Sequence, residues 1–483
     1  MYAETHEGVG VADQHDQLNL LLASLMTEAG LSPRALAREI NKLAGPGAVA
    51  ETAPYHWRDR SGVPREPLPA LTAYVLSRCL GRIVSVGDLW QDRATDAPLF
   101  LPADSGMRQP WTLASTMLIA EDWLLGGLLD RRVFLSVSGA ALTRAVSVYL
   151  TMRLPQSSVS RLTIGMTDDP VVDQIERSVP QLQLLDDERG GASGLGYVGA
   201  QLRAALLVLR ERRQPEDITR RLLIAIADLA QLAGWMAFDA GQHGVAQRYF
   251  FTGLRAANDA GYRPMQAHIL ADLSFQAATR GDSSDGVVLG EAAHRIAEGT
   301  AGSVRASVMS RLAYAYASAG RIADCERTWL ASHEQLERRR REQDPAWMYY
   351  LTPNHLDCQA GYAMILAGRR SLANGDCSGG RSLLRRGEAL LRTGAHARPA
   401  DVPSQRRALF EGSWLALAYT AHGKLDDACV VAHQALPRLE RVRSPRSVAL
   451  LNTLRHEFRR RKRHHMVGEI LPHLESALAR HGQ

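Results

Sequence analysis

The sequence predicts an all-α fold: an N-terminal helix-turn-helix domain followed by a tetratricopeptide (TPR)-like α-helical superhelix. Three observations predict it. Glycines and small residues recur at the spacing of a repeated helical hairpin. Apolar residues follow helical periodicity, and near the N-terminus a short helix lies between longer ones. We predict a flexible tail at 1–15, a helix-turn-helix domain at 16–95, a connecting segment at 96–205 and helical repeats at 206–483.

The first predicted helix carries an apolar stripe over 18–26 and ends at Gly30. Ser32 as N-cap and Pro33 in the first turn predict a second helix that runs to Leu43. The Gly45–Pro46–Gly47 stretch then breaks the chain.

A short third helix is predicted from the N-cap Thr52 to Arg60, where Pro54 is tolerated in the first turn. A turn over 61–67 leads to a fourth helix from Pro69 to Leu80, and the segment 84–90 completes the unit. The order of long helix, short helix and long helix is that of a helix-turn-helix DNA reader.

In such a reader the third helix enters the major groove and presents side chains to the bases. The residues that we expect to contact bases are Thr52, Tyr55, His56 and Arg58. The cations that we expect to hold phosphates are Arg34, Arg38, Lys42, Arg60 and Arg65. In the alternative interpretation these arginines form a solvated face and the aromatic residues only pack. We expect Trp57 to pack against the domain core.

The repeated pattern is a small residue, a glycine seven positions later and a small residue five positions after that. Small residues let two antiparallel helices approach closely, and the glycine takes the turn between them. The copies are Gly234/Gly241/Ala246, Ala313/Gly320/Cys325 and Ala416/Gly423/Ala428. Six hairpins are predicted, at about 217–260, 264–299, 303–340, 346–394, 404–440 and 444–480.

Several segments together resemble actinobacterial regulators that join an Xre-like helix-turn-helix to a TPR domain, the NsdA-type negative regulators of Streptomyces differentiation. The segments are Leu31–Asn41, His56–Pro69, Leu76–Arg82, Asp130–Leu135, Leu232–Phe250 and Gly423–Cys429. The resemblance implies DNA binding and control of sporulation and antibiotic production, by repression. Two features depart from the pattern: the inserted segment Gly45–Glu51, and Asp59 and Val63 at positions that are often basic.

The most distinctive repeat segment runs from Gly234 to Phe250. Its aromatic and polar side chains predict a groove for a peptide, a small molecule or a protein effector. The candidate groove residues are Trp235, Phe238, Gln242, His243 and Arg248. The alternative is that they form repeat-to-repeat core and a capped turn. The basic run Arg459–Arg463 is interpreted as a solvated helix face, with binding of nucleic acid or of an acidic partner as the alternative.

One glycine motif allows an interpretation as the dinucleotide-binding loop of an enzyme. Gly194, Gly196 and Gly199 match GxGxxG, but a polar turn rather than a β-strand precedes them. A flexible interdomain linker is therefore the preferred interpretation. We predict no catalytic site, no metal and no cofactor.

Composition fits a cytoplasmic protein. The formal charge of +6 permits nucleic acid as a partner, and the five scattered cysteines form no CxxC motif. Arg131-Arg132 resembles an export motif but lies too far from the N-terminus, so we interpret its apolar run as buried. We expect a cytoplasmic, nucleoid-associated protein without membrane contact.

The sequence therefore predicts a DNA-binding transcriptional regulator, a homodimer whose TPR domain dimerises and senses an effector. The partners expected are double-stranded DNA, a second copy of the chain and that effector. The alternative is a TPR adaptor that sequesters another regulator by protein contact and does not bind DNA.

Overall fold

The computed structural model describes residues 19–44, 48–60, 62–65, 68–80, 84, 89–90, 110–120, 142, 146, 149, 169–211, 214–395 and 404–481. The all-α prediction is confirmed, because the regular elements of these residues are all helices. The chain forms two compact units, one of 1–105 with 130–136 and one of 106–129 with 137–483. The predicted tail at 1–15, the Gly45–Gly47 break and Arg131-Arg132 lie outside the described residues.

The first unit, here called the head, contains four described helices close to the predicted ones. They are α1 (Leu20–Glu28), α2 (Pro33–Ala44), α3 (Ala53–Asp59) and α4 (Leu68–Leu80). Gly30 lies in the turn after α1 and has φ +65°, a backbone conformation that glycine adopts without strain. The Ser32 hydroxyl accepts a hydrogen bond from the Ala35 amide at 3.2 Å, which is the predicted N-cap.

The four helices of the head enclose one apolar core. Leu22, Leu36, Ile40 and Leu76 are fully buried, and Trp57 is 6% exposed. Trp57 therefore packs into the core, as expected from the sequence. Because the Trp57 indole packs in the core, the side chains next to it on α3 face outward.

The second unit, here called the array, consists mainly of six helical hairpins. The inner helices are α8 (Glu216–Asp239), α10 (Arg263–Thr279), α12 (Gly302–Ser318), α14 (Pro353–Ala373), α16 (Gln405–Ala421) and α18 (Pro445–Arg459). The outer helices are α9 (His243–Asp259), α11 (Ser283–Ala297), α13 (Ile322–Glu337), α15 (Cys377–Ala395), α17 (Leu425–Arg441) and α19 (His465–His481). Each inner helix packs on its outer partner and on the next inner helix along the chain.

Glycines allow the close packing and the tight turns of these hairpins. A Cβ at Gly234 in α8 would lie 2.6 Å from a ring carbon of Phe250 in α9, so this contact requires a glycine. Gly320 has φ +78° in the turn between α12 and α13. The hairpin bounds lie within a few residues of the predicted ones, apart from the later start of α14.

Three further helices belong to the array: α5 (Leu113–Ala120), α6 (Pro170–Arg189) and α7 (Gly191–Glu211). The prediction of a flexible linker at Gly194–Gly199 is wrong, because these residues lie within α7. A Cβ at Gly194 would lie 2.6 Å from Met236 Cε, and one at Gly199 would lie 2.9 Å from the Tyr249 hydroxyl. Gly194 and Gly199 are therefore sites of close helix packing, and the motif is not a loop.

The helix α6 joins the two ends of the array. The Arg443 amide donates to the Arg189 carbonyl at 2.8 Å, and the Ala192 amide donates to the Arg443 carbonyl at 3.2 Å. The Ser404 hydroxyl donates to Asp187 Oδ1 at 2.9 Å. Through these hydrogen bonds, the residues around the C-terminal end of α6 are attached to the residues that precede α16 and α18, in the last two hairpins.

Two helices of the described chain are long and apolar enough to cross a membrane, Gly191–Arg210 and Glu216–Asp239. Of the second, 83% of the apolar window is buried inside the array. This is the environment of a packed core helix, whereas 33% of the apolar window of the first helix is buried.

Candidate functional site

The head brings the predicted DNA-contacting residues to α2, α3 and the segment after α3. Arg34 and Arg38 lie one turn apart on α2 and are exposed, as are Arg60 and Arg65 beyond the end of α3. None of these four forms an ion pair with another described residue. Thr52 and His56 are exposed and Tyr55 is half-buried. The positive charge of the four guanidiniums therefore faces solvent.

Arg58 differs from these arginines because its guanidinium already has a partner. Its Nε and Nη2 donate to the two carboxylate oxygens of Asp59, at 2.6 and 3.0 Å. It also lies 5.4 Å from the centre of the Tyr55 ring. This hydrogen bond from Arg58 lowers the pKa of Asp59 and keeps both groups charged. Arg58 must leave Asp59, or share it, before it can contact DNA.

Two asparagines that the sequence reasoning did not single out as site residues position α3. Asn41 donates from Nδ2 to the Val49 carbonyl at 2.9 Å and accepts from the Val49 amide at 2.8 Å. Asn19 donates to the Leu89 carbonyl at 2.7 Å, and its own amide donates to the Arg58 carbonyl at 2.8 Å. Such long-range side-chain contacts leave no periodic signal in a sequence.

In the array, a column of aromatic side chains crosses the inner helices. Ring centres are 5.9 Å apart for Phe238 and Phe275, and 4.6 Å apart for Phe275 and Tyr314. They are 5.6 Å apart for Tyr314 and Tyr362, and 5.3 Å apart for Tyr362 and Phe410. The column begins near the C-terminal end of α8 and reaches the N-terminal part of α16. We call these five residues the aromatic column.

Three arginines from three inner helices surround the Trp235 ring beside the column. The guanidinium carbons lie 4.9 Å (Arg311), 5.6 Å (Arg406) and 5.2 Å (Arg446) from its centre. Arg446 also lies 4.3 Å from the centre of the Phe410 ring. Guanidinium groups are attracted to aromatic faces, and the attraction is stronger away from water. Trp235, on the first hairpin, therefore packs against arginines of the inner helices α12, α16 and α18.

Each of these arginines also meets a buried carboxylate. Arg446 Nε lies 3.2 Å from Asp239 Oδ1, Arg406 Nη2 lies 3.1 Å from Asp186 Oδ2, and Arg311 lies against Asp272. Burial raises the pKa of Asp186 to about 7, because the loss of hydration outweighs the attraction of Arg406. The three pairs connect α6 and the first two hairpins to α12, α16 and α18.

The structure separates the five residues predicted to form a groove. Phe238 is buried in the aromatic column, and Trp235 is half-buried among the arginines. His243 packs on Phe238 with ring centres 5.7 Å apart, and burial lowers its pKa to about 4. Gln242 is exposed and Arg248 is half-buried. Whether any of them binds an effector stays a prediction.

His, Cys, Asp and Glu side chains are the groups that bind metals, and cysteine thiols can act as nucleophiles. No group of three His, Cys, Asp or Glu side chains is placed there as metal ligands would be. Three cysteine thiols of the array, Cys325, Cys358 and Cys429, are buried, and burial raises the pKa of Cys325 to about 12. A thiol with such a pKa is a poor nucleophile.

The N-terminal part of the chain is similar to a known protein family. The model of the SP15 N-terminal domain matches residues 22–89. Both limits, Leu22 and Leu89, are buried residues of the head core, so the match coincides with the folded head. No curated protein matches the chain.

Proposed function

We propose that this chain is a sequence-specific DNA-binding transcriptional regulator that acts as a homodimer, and that its helical array dimerises and senses a ligand. The observation that carries the proposal is the set of exposed guanidiniums on the head, Arg34, Arg38, Arg60 and Arg65. They flank a short helix whose buried face is fixed by Trp57 and whose other face carries His56 and Tyr55.

Charge and geometry together favour DNA over an acidic protein. Phosphates are spaced regularly along a duplex, and arginines on α2 and after α3 would contact backbones on both sides of a groove. The side chains of α3 between them include hydrogen-bond donors and acceptors suited to base edges. The resemblance to NsdA-type regulators points the same way and suggests repression of differentiation and antibiotic production in the cytoplasm.

A dimer follows from the small size of the head. One seven-residue helix reads few bases, and helix-turn-helix proteins gain specificity by binding two half-sites. A helical array can hold two heads at a fixed spacing and change that spacing when a ligand binds.

The first test measures duplex DNA binding by fluorescence anisotropy over a range of salt concentrations. Four phosphate contacts predict that log K falls with log salt with a slope of about −3.6. The double variant Arg34→Gln/Arg38→Gln should reduce the size of that slope by about two. Arg338→Gln/Arg441→Gln removes the same charge from exposed positions of the array and should leave the slope unchanged.

The second test is made in the host. The tagged full-length protein is crosslinked to the chromosome and the bound DNA is sequenced, beside a variant in which Arg34, Arg38, Arg60 and Arg65 are all glutamine. Peaks that share a motif and vanish in the variant support the regulator. Equal peak patterns in both would refute DNA reading by the head.

One observation favours the adaptor as a second candidate. The Arg58 guanidinium is occupied by Asp59, which lowers the number of free cations on α3. An adaptor would use the head surface for a protein contact. Charge reversal at Arg65 should abolish DNA binding by a regulator and leave partner capture by an adaptor intact.

A further inference from the structure

An open depression of about 650 Å³ lies where the C-terminal ends of five inner helices meet. Its walls come from α10, α12, α14, α16 and α18, from Gly281 and Ser283 at the turn into α11, and from Arg461 just after α18. None of the five residues predicted to form a groove lines it. The volume is in the range of small-molecule sites in proteins.

Positive charge exceeds negative charge in this depression. Arg369, Arg370 and Arg461 line it, and Glu457 is the one acid among its lining residues. Arg461 donates to Glu457 Oε2 at 2.7 Å, while Arg369 Nη2 is 3.6 Å from Glu457 Oε1. Arg370 pairs with no carboxylate of the described chain. The negative charge of Glu457 balances one of the three arginines, so the depression as a whole has a net positive charge.

The carbonyls at the helix ends would oppose an anion, but their hydrogen bonds are largely satisfied. The Ser318 carbonyl accepts from Ser283 Oγ at 2.9 Å and from Arg370 Nη1. Turn amides cover the neighbouring ends, as where Gly423 donates to the Thr420 carbonyl at 3.2 Å. A guanidinium has five donors, so Arg370 keeps others for a ligand after this contact.

The rest of the wall is partly polar, at Thr279, Ser283 and Ser318, and partly apolar. Its apolar part is contributed by Ala278, Leu366, Leu372, Ala373 and Ala421. We propose that this depression binds a small organic anion, a carboxylate or phosphate carried on an apolar body. The guanidiniums of Arg369 and Arg370 contact the anionic group, and the alanine and leucine side chains contact the body.

The proposal names the ligand class for the sensor function proposed above and rests on that function only for its biological role. Binding itself is measured on the full chain without DNA. Binding of an anion to protein that fails to bind DNA would therefore refute the regulator and leave this site standing.

The test compares four small probes that share a phenyl body and differ in head group: benzoate, phenyl phosphate, benzyl alcohol and benzylamine. Ligand-observed NMR gives each dissociation constant. Benzoate or phenyl phosphate is expected to bind with a constant on the order of 1 mM, and benzylamine more weakly than benzyl alcohol. The tighter of the two anions identifies the head group.

Two variants assign the binding to the depression. Arg369→Gln/Arg370→Gln should weaken the better anion by roughly tenfold and leave benzyl alcohol within about twofold. Ala373→Trp should obstruct all probes, because the side chain of this exposed helix end lies in the wall. Arg338→Gln/Arg441→Gln, with the same loss of charge elsewhere on the array, is the control.

Three results would overturn the proposal. One is benzylamine binding as tightly as the anions. Another is an equal loss of anion binding in the arginine pair and in its control, since that reports net charge alone. The third is no binding of any probe at about 10 mM, well above the constant expected.

Discussion

At the scale of single residues, Asp59 limits the positive charge that the head can offer to DNA. It holds the guanidinium of Arg58 through two hydrogen bonds and places a negative charge beside the surface expected to meet phosphates. Removing that carboxylate releases Arg58 and removes repulsion at the same time. Once released, the half-buried Arg58 gains a phosphate contact worth about one unit of salt slope.

We therefore predict that Asp59→Asn tightens duplex DNA binding about threefold near physiological salt and steepens the salt slope by about one. Anisotropy measures both quantities. Glu51→Gln, an exposed head residue, makes the same change in net charge without releasing an arginine. If Glu51→Gln tightens DNA binding by the same factor, release of Arg58 does not contribute to the effect of Asp59→Asn.

Asp186 gives the array a dependence on pH. It is 3% exposed, its Oδ1 has no hydrogen-bond partner, and burial raises its pKa to about 7. Because the folded pKa lies above the unfolded value near 4, the folded state binds the proton more tightly. The stability that this provides is complete below pH 4 and is lost as the pH rises to 7.

Asp186→Asn should remove this titration. We predict that the variant is similar to the wild type at pH 4 and gains on it up to pH 8, by at most roughly 4 kcal/mol. Thermal unfolding midpoints at several pH values measure the difference. Asp427→Asn, at an exposed position of α17, controls for the loss of one negative charge. A midpoint difference for Asp186→Asn that does not change with pH would contradict the prediction.

At the scale of elements, the glycines of α7 fix where this helix packs. A Cβ at Gly191 would overlap the carbonyl of Met236, while a Cβ at Gly196 would meet nothing within 4 Å. We predict that Gly191→Ala destabilises the array by about 2 kcal/mol, and that Gly196→Ala stabilises it by about 0.5 kcal/mol. Circular dichroism during heating measures both.

The two variants form a matched pair, since each adds one methyl group to the same helix. Helix propensity favours alanine in both, so only the packing differs. A midpoint for Gly191→Ala at or above that of the wild type would show that α7 does not pack on α8 as described.

These glycines also show what the sequence could and could not predict about elements. The hairpins were predictable, because Gly320 and Gly423 mark their turns and small residues mark their close contacts. The helix α7 was not, because three glycines within six residues have poor helix propensity and matched a loop motif. Tertiary packing against α8 and α9 overrides that propensity, and a local pattern carries no information about it.

The aromatic column was missed for a different reason. Its members shift toward the N-terminal ends of the inner helices across the array, from Phe238 near the end of α8 to Phe410 in the second turn of α16, although Phe275 and Tyr314 hold the same position in α10 and α12. A search for a fixed repeat finds residues at constant positions, such as Tyr316 and Tyr419. Residues that follow the axis of a superhelix drift from one repeat to the next and escape such a search.

At the scale of the whole array, closure depends on contacts between its first and last hairpins. Asp239, at the end of α8, is fully buried. Its carboxylate accepts hydrogen bonds from the Ser444 hydroxyl at 2.9 Å and from the Gly191 amide at 3.2 Å, and Arg446 lies 3.2 Å away. These partners come from α7 and from the start of α18, so one carboxylate joins segments about 200 residues apart.

Removing Arg446 leaves that carboxylate in the core without its cation. We predict that Arg446→Met costs roughly 3–5 kcal/mol of stability, since an uncompensated buried charge is more harmful than the loss of an ion pair. Hydrogen exchange should increase in α6 and α18 before it does in α12, because the closing contacts fail first. Thermal unfolding and exchange mass spectrometry measure the two effects.

The matched control is Arg443→Met, the same change three residues away at an exposed side chain. It should leave both measurements near those of the wild type. The double variant Arg446→Met/Asp239→Asn removes both charges, and it should recover part of the stability because no unpaired ion remains. If Arg446→Met unfolds like Arg443→Met, or if Asp239→Asn adds to the damage, the guanidinium does not close the array. Arg446 would then contribute only through its packing on the Phe410 and Trp235 rings.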